Sequence, residues 1–172
     1  MSERIRYAWG KSSLGDFIAA VSERGLVAFE FAEHGSPALA DLQARLPNAV
    51  IEEDGDGLSE LVAKLAALVD HPDTDPDIAL DPRGSDYQRQ VWSLLRDIPA
   101  GQTTNYGAIA ARLGTRDARE VTEAIASNMI AILIPCHRVV KKDGSLSGYR
   151  WGFGRKRSLL ARERSAAPFQ LA

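Results

Sequence analysis

Apolar residues in the first half of the chain form short runs, and helical repeats follow them. Gly15–Val21 and Gly25–Phe31 are rich in residues that favour β-strands, and the polar turn at Ser22–Gly25 between them suits a hairpin. A serine and a proline open a predicted helix over 36–46. Leucines and valines from Leu58 to Val69 recur at helical spacing, which predicts a second helix.

A polar segment interrupts this pattern near the middle of the chain. His71–Asp77 contains two prolines and three aspartates, and it leads to Arg83-Gly84. Such composition is typical of a linker between folded units. We therefore predict two domains, comprising residues 1–82 and 83–172.

The second half is predicted to be mainly helical. Ser85 is a good N-cap for a helix that runs to Ile98-Pro99. A turn at 101–104 leads to a helix over Asn105–Leu113, which Gly114 ends, and a third helix runs from Asp117 to about Asn128. Two helices joined by a short glycine-containing turn suggest a helix-turn-helix, although most such pairs serve only to build the fold.

Charge is divided unevenly between the two halves. Residues 1–82 carry 6 Lys and Arg against 16 Asp and Glu, a net charge of −10, whereas residues 83–172 carry 15 against 7, a net charge of +8. The total of −2 conceals this asymmetry. A basic half beside an acidic one indicates a polyanionic partner for the basic half, which strengthens the helix-turn-helix interpretation.

The single cysteine and three scattered histidines limit the chemistry. One cysteine forms no intrachain disulfide and builds no multi-cysteine zinc site, and His34, His71 and His137 lie far apart. We expect no metal and no cofactor. No secretory signal or membrane span is visible, and a free thiol fits a reducing, intracellular compartment.

Cys136 follows an apolar run, 131–134, that ends at Pro135. A cysteine in such a place is most often a small core residue, but His137 and Arg138 are unusual neighbours for a core. An imidazole can take the thiol proton, provided that the chain bends or a water bridges the two side chains. A carboxylate could orient the imidazole. The candidates in the second half are Asp86, Asp97, Asp117, Glu120, Glu123, Asp143 and Glu163.

The second half of the chain resembles the O6-methylguanine-DNA methyltransferases, most closely the carboxy-terminal half of the bacterial Ada protein. The resemblance covers about Arg83 to Glu163 and centres on Ile134-Pro135-Cys136-His137-Arg138-Val139-Val140. Residues 1–82 match more loosely. The other matching segments are Tyr87–Trp92, Ile98–Gly101, Thr104–Gly107, Asp143–Gly152, and Arg155-Lys156 before Leu159-Leu160.

The resemblance implies an α/β fold. A small ribonuclease-H-like domain would precede a mainly helical, winged-helix-like domain with a helix-turn-helix. It also implies direct-reversal DNA repair: the alkyl group of O6-alkylguanine, and of O4-alkylthymine, would pass from double-stranded DNA to Cys136. The reaction would occur once per molecule, without a cofactor, in a cytoplasmic monomer that associates with the nucleoid when bound to DNA.

The resemblance further implies a role for each matching residue. Cys136 would accept the alkyl group, with His137, a water and Glu163 as its activating relay. Asn128 would brace the turn before the cysteine, and Lys156 would shape the site. On DNA, Arg119 would fill the space left by the flipped nucleotide, Tyr106 would press on a phosphate, and small residues would allow a close approach: Ala118, Thr122 and Ala126. The pocket would be lined by Val139, Tyr149, Arg150 and Trp151.

Some features depart from the family pattern. Glu120 and Glu123 place negative charge on the expected recognition helix, and we expect both to face away from DNA. Trp151 stands where some members have glycine, so we expect a narrower pocket and poor reaction with benzyl adducts. The four cysteines of the regulatory half of the Ada protein are absent, so transcriptional self-induction is not supported.

Three other functions remain as alternatives. A thiol hydrolase would use Cys136 and His137, but no glycine cluster near the cysteine suggests an oxyanion hole. A module that senses alkylguanine without repairing it would not need Cys136. A simple helix-turn-helix repressor would leave the Cys136-His137 pair unexplained.

Overall fold

The amino-terminal part of the chain forms a four-stranded sheet. We describe residues 2–115 and 117–166 of a computed structural model. The strands are β1 (Glu3–Ser12), β2 (Gly15–Val21), β3 (Leu26–Phe31) and β4 (Ala49–Glu53), in the spatial order β3-β2-β1-β4. β4 runs parallel to β1, and the other pairs are antiparallel. The predicted strands β2 and β3 are confirmed, and so is their hairpin, in which Ser22 N–H donates to the Gly25 carbonyl over 2.9 Å.

Two helices complete this part of the molecule. α1 (Ala38–Arg45) connects β3 to β4, and α2 (Ser59–Asp70) packs on β1. Both agree with the predicted helices to within two or three residues. The buried face of α2 includes Leu65, Leu68 and Val69, as its helical spacing predicts.

The carboxy-terminal part is mainly helical. α3 spans Asp86–Arg96, α4 spans Tyr106–Arg112, α5 spans Ala118–Ala126 and α6 spans Phe153–Ala166. The mixed α/β fold, with an amino-terminal sheet and carboxy-terminal helices, is therefore confirmed. No helix within residues 2–115 and 117–166 is long and apolar enough to cross a membrane.

Capping residues fix the ends of α3, α4 and α5. Ser85 and Gln88 form a reciprocal capping box at the start of α3, while Asn105 and Asp117 cap α4 and α5 through their side chains. After α4, Gly114 has φ of 73°, a left-handed conformation that suits glycine at a helix end. Sequence therefore determines where each of these helices begins or ends.

The two parts share a hydrophobic core, and the outer edge of β3 joins them. Phe29 N–H donates to the Met129 carbonyl and Ala131 N–H donates to the Phe29 carbonyl, each over 2.8 Å. Phe29 and Ile130 thus form a parallel bridge that extends the sheet towards the segment before Cys136. The domain boundary at 82/83 stays a prediction, and residues 167–172 of the second predicted domain lie outside the described residues.

Candidate active site

Cys136 lies in a short 3-10 turn, Cys136–Arg138, between an irregular apolar segment and the two-residue strand β6 (Val139–Val140). β6 pairs with β5 (Thr104–Asn105), immediately before α4. The 3-10 turn bends the chain at the cysteine, which an extended strand would not do. The thiol residue is 5% exposed and lines a cavity of about 290 Å³. The other lining residues are Tyr106, Thr122, Ile125, Ala126, Gly148, Tyr149 and Arg150.

Asn128 spans the segment that leads to Cys136. Its Nδ2 donates to the carbonyl oxygens of Ile130 and Ile134, each over 3.0 Å, and its Oδ1 accepts from Ile130 N–H over 2.9 Å. Nδ2 also lies 3.4 Å from Sγ of Cys136. The buried amide of Asn128 therefore connects the two ends of the segment 130–134 by hydrogen bonds and also contacts the sulfur of Cys136.

The segment that Asn128 spans contains a strained residue. Ile132 has φ of 66°, in the left-handed region that β-branched side chains rarely adopt. Such a conformation costs on the order of 1–3 kcal/mol and persists only where neighbouring contacts hold it. The hydrogen bonds of Asn128 on either side of Ile132 are contacts of this kind, so the geometry before Cys136 is fixed rather than relaxed.

Glu163 of α6 reaches both residues that follow the cysteine. Its Oε1 lies 2.6 Å from Nε2 of His137. The Arg138 guanidinium donates to both carboxylate oxygens over 2.8–3.1 Å and to the Ile98 carbonyl over 2.6 Å. All three charged or polar side chains are buried. Sequence reasoning named His137 and Glu163 but gave no role to Arg138, although an arginine beside a buried cysteine was the signal.

Burial and hydrogen bonding set the charges of this cluster. Burial penalises the charge on Glu163, but the bonds from His137 and Arg138 outweigh that penalty and lower its pKa. Burial also lowers the pKa of His137. A neutral imidazole therefore meets an ionised carboxylate. Nδ1 of His137 is buried and makes no hydrogen bond with any residue of the described ranges.

The thiol itself is protonated in the free protein at neutral pH. Burial raises the pKa of Cys136 to about 11, although the Asn128 amide and the Lys156 charge oppose that rise. Because the thiolate is the nucleophilic form, the proton must leave as the sulfur reacts. The unpartnered Nδ1 of His137 is a base suited to that task.

Lys156 of α6 places a buried positive charge near Cys136. Its Nζ donates to the Val139 carbonyl over 2.6 Å and to Ser147 Oγ over 2.8 Å. Burial lowers its pKa to about 8. Ser147 Oγ in turn lies 2.8 Å from the hydroxyl of Tyr106 in the cavity wall. Ser147 was missed from the sequence, where a serine in a glycine-rich loop carries no distinctive signal.

α5 presents an exposed face beside the cavity. Ala118, Arg119, Thr122 and Ala126 are all exposed, and the side chain of Arg119 is 90% exposed. Glu120 lies on the side near Tyr87, whose pKa its charge helps to raise. Glu123 is exposed and, at about 100° per residue, falls only about 40° from Arg119 on the helical wheel. Glu123 thus flanks the Arg119 side of α5, and the orientation of both glutamates relative to DNA stays a prediction.

Two residues predicted to line the pocket lie elsewhere. The Trp151 ring packs edge-on against Tyr149 and Phe31, with centroid distances of 5.2 and 6.5 Å, and is absent from the cavity wall. The prediction that Trp151 itself narrows the pocket is wrong, because the ring is drawn into the shared core. Val139 is also outside the wall, and its carbonyl is occupied by Lys156.

The described residues offer no cluster of three His, Cys, Asp or Glu side chains that could hold a metal ion. The chemistry available here is that of a buried thiol, an imidazole–carboxylate pair and a lysine. The structure brings Cys136, His137, Glu163, Asn128 and Lys156 together, as predicted, and places Tyr106, Tyr149 and Arg150 around the adjoining cavity.

Comparison with known proteins gives consistent matches. Residues 86–165 match the family described as "6-O-methylguanine DNA methyltransferase, DNA binding domain". The bifunctional transcriptional activator/DNA repair enzyme Ada of Escherichia coli is 41% identical over 160 residues, which cover 92% of this chain and 45% of that protein. The inducible methylated-DNA–protein-cysteine methyltransferase of Bacillus subtilis is 36% identical over 124 residues, 72% of this chain and 69% of that protein.

Solved structures match over almost the full chain. The crystal structure of Mycobacterium tuberculosis OGT in complex with DNA is 35% identical, with a TM-score of 0.75, and the match covers 96% of this chain and 95% of that one. By contrast, the chain spans about half the length of the first curated relatives that it matches.

Proposed function

The chain belongs to the 6-O-methylguanine DNA methyltransferase family, and from this premise we propose that it repairs double-stranded DNA by moving the alkyl group of O6-alkylguanine onto Cys136. O4-alkylthymine presents a similar alkylated oxygen and is proposed as a second substrate. One observation carries this proposal. The cavity that contains Cys136 is walled by Thr122 and Ala126 of α5, the helix that also exposes Arg119.

The proposed reaction is a direct displacement at a saturated carbon. Sγ of Cys136 forms a bond to the alkyl carbon as the bond between that carbon and O6 breaks, and guanine leaves. The thiol proton passes to Nδ1 of His137, through a water, and a proton returns to the guanine, so atoms and charge balance. A donor near O6 stabilises the charge that builds there, and the Tyr106 hydroxyl in the cavity wall is suited to that role.

Access to the thiol requires that the base leave the duplex. Cys136 lies inside a cavity, so a stacked base cannot reach it. Extrusion costs a few kcal/mol, which contacts in the pocket and a side chain that fills the gap can offset. We assign the gap-filling role to Arg119, because its long side chain projects from α5. Ala118, Thr122 and Ala126 keep the same face small enough for close approach to DNA.

The other residues support the thiol. Asn128 holds the segment before it, Glu163 orients His137, and Lys156 adds a nearby positive charge that favours the thiolate. Tyr149 and Arg150 form the pocket wall. The product is a thioether, and the chain has no second cysteine that could regenerate the thiol. Each molecule is therefore used once. The resemblance to the family is the basis for our further proposal that it acts as a monomer in the cytoplasm, beside the nucleoid.

Mass measurement tests the proposal directly. The protein is incubated with duplex DNA containing one O6-methylguanine, and its proteolytic peptides are then analysed by mass spectrometry. We expect one methyl group on Cys136, none in the Cys136→Ala variant, and restored guanine in the DNA. An unmodified, well-folded protein with intact lesions would reject alkyl transfer. If tight binding persisted in that case, the sensing alternative would be favoured; turnover of an ester or amide would favour the hydrolase alternative.

A further inference from the structure

An ion pair connects the sheet to the wall of the cysteine cavity. Oε1 of Glu30, in β3, lies 2.8 Å from Nε of Arg150, which lines the cavity. The two residues are 120 positions apart in the chain. The Glu30 side chain is 8% exposed and that of Arg150 is 32% exposed, so the contact is shielded from solvent mainly on the glutamate side.

Glu30 is an unusual residue for its position. All six residues of β3 are buried, and the other five are apolar. A buried carboxylate without a partner is costly, because charge is poorly solvated inside a protein. Among the salt bridges of the described residues, Glu30 pairs with Arg150 alone, and Arg150 with Glu30 alone. The one charged side chain of β3 thus forms its ion pair with Arg150, at a position where the strand pattern favours an apolar residue.

Arg150 also faces the carboxy-terminal end of α5. Its Nη1 lies 3.5 Å from the Ala126 carbonyl, and Nη2 of Arg45, from α1, lies 2.8 Å from the Ser127 carbonyl. Positive groups at the last turn of a helix interact favourably with its unpaired carbonyls. Glu30 therefore holds Arg150 between β3 and the end of α5, the helix whose Thr122 and Ala126 also line the cavity.

From this geometry we infer that Glu30 is a positioning residue for the alkyl transfer, acting through Arg150 on the pocket wall. The inference rests on the proposed function and deepens it, since it gives the amino-terminal sheet a role in the reaction. Without the carboxylate, the Arg150 side chain is free to turn towards the negatively charged DNA or into the cavity. The extruded base would then be held less accurately, whereas DNA binding would be retained.

Single-turnover kinetics separate these effects. Glu30→Gln, Arg150→Gln and the double variant are compared with the wild type at increasing concentrations of duplex DNA containing O6-methylguanine. For Glu30→Gln we expect the maximal transfer rate to fall about tenfold, since small misplacements of a reacting group are costly. The half-saturating DNA concentration should stay within about twofold, because no phosphate contact is removed. Glu52→Gln, which breaks the exposed Arg4–Glu52 pair, is the matched control and should react like the wild type.

The double variant tests whether Glu30 acts through Arg150. In the Arg150→Gln background, Glu30→Gln should change the maximal rate by less than about twofold, because the effects of substituting two interacting residues do not add. A variant with leucine at both positions avoids an unpaired buried charge. It should melt near the wild-type temperature and still transfer slowly.

Three results would overturn the inference: an unchanged maximal rate in Glu30→Gln with only a lower melting temperature, equal losses in both backgrounds, or wild-type transfer by the leucine pair. Failure of the wild-type protein itself to methylate Cys136 would instead reject the proposed function, and this inference with it. Normal repair by the wild type together with normal repair by Glu30→Gln would reject the inference alone.

Discussion

Nε2 of His137 lies 2.6 Å from Oε1 of Glu163, and neither side chain is exposed to solvent. Because Glu163 is ionised and accepts hydrogen bonds only, Nε2 carries the hydrogen in the neutral ring. Nδ1 is then the ring atom with a free lone pair. A carboxylate 26 positions away in the chain thus decides which imidazole nitrogen can receive a proton near Cys136.

Replacing Glu163 tests that relationship. In Glu163→Gln the buried Arg138 loses its counter-charge, and the glutamine can donate to His137 and favour the other tautomer. We expect transfer to Cys136 to slow about a hundredfold, in line with the loss of general base catalysis, and the free energy of unfolding to fall by about 3 kcal/mol. Rapid-quench kinetics and urea unfolding measure the two effects, with the exposed Glu60→Gln as control. Normal transfer by a destabilised Glu163→Gln protein would mean that the carboxylate is only structural.

Asn128→Ala removes the amide that spans the turn around Ile132. The Ile130 and Ile134 backbone groups lose their partner inside the protein, which we expect to cost about 3 kcal/mol of unfolding free energy. The strained turn should relax, and transfer should slow as Sγ loses its fixed position. Asn48→Ala, at an exposed site, serves as the comparison in urea unfolding and transfer assays. Equal stability of the two variants would contradict a bracing role.

The titration of Cys136 is measurable without DNA. Burial raises its pKa to about 11, so the thiolate fraction of the free protein should increase throughout the range below that value. The rate of modification by iodoacetamide should therefore rise about tenfold per pH unit from pH 7 towards pH 10, whereas an ordinary thiol levels off near its pKa of about 8.5. Mass spectrometry follows the modification, with Cys136→Ala as the blank. A plateau near pH 8.5 would show that burial does not control this thiol.

Arg119→Ala should separate DNA recognition from chemistry. The Arg119 side chain is 90% exposed, and its hydrogen bond goes to Asp117 of the same helix end. Its loss should therefore slow repair of O6-methylguanine in duplex DNA by about tenfold, the cost of roughly 1.4 kcal/mol in stabilising the extruded base. Reaction with the free alkylated base should be unaffected. Arg4→Ala, on the sheet, is the control. A similar loss on both substrates would exclude a role in base extrusion.

The sequence predicted the elements whose patterns are local. β2, β3, α2 and the capped helices follow from apolar spacing, Ser85, Asn105 and Gly114. β1 and β4 were missed because β1 carries four charged side chains and β4 ends in two glutamates. Pairing between the two strands explains these charges: Arg4 forms an ion pair with Glu52, and Arg6 forms one with Asp54, just after β4.

The site shows the same division between local and long-range information. The segment around Cys136 was recognisable as a motif. From the residues alone Glu163 was one of seven candidate carboxylates, and only the family resemblance singled it out; the fold places it beside His137. Glu30, Arg138 and Ser147 were missed because charged and polar residues are usually exposed. Their roles depend on partners far away in the chain, such as Arg150 for Glu30.

The hydrogen bonds between Phe29 and the Met129–Ala131 segment affect how such a protein can be recombined. A cut in the His71–Asp77 linker would leave β3 with a bare, apolar edge, a template for aggregation. It would also deprive the segment before Cys136 of its backbone partner. Genetic exchange of one half between relatives would therefore have to preserve this strand pairing, although the linker is the point where the sequence looks easiest to divide.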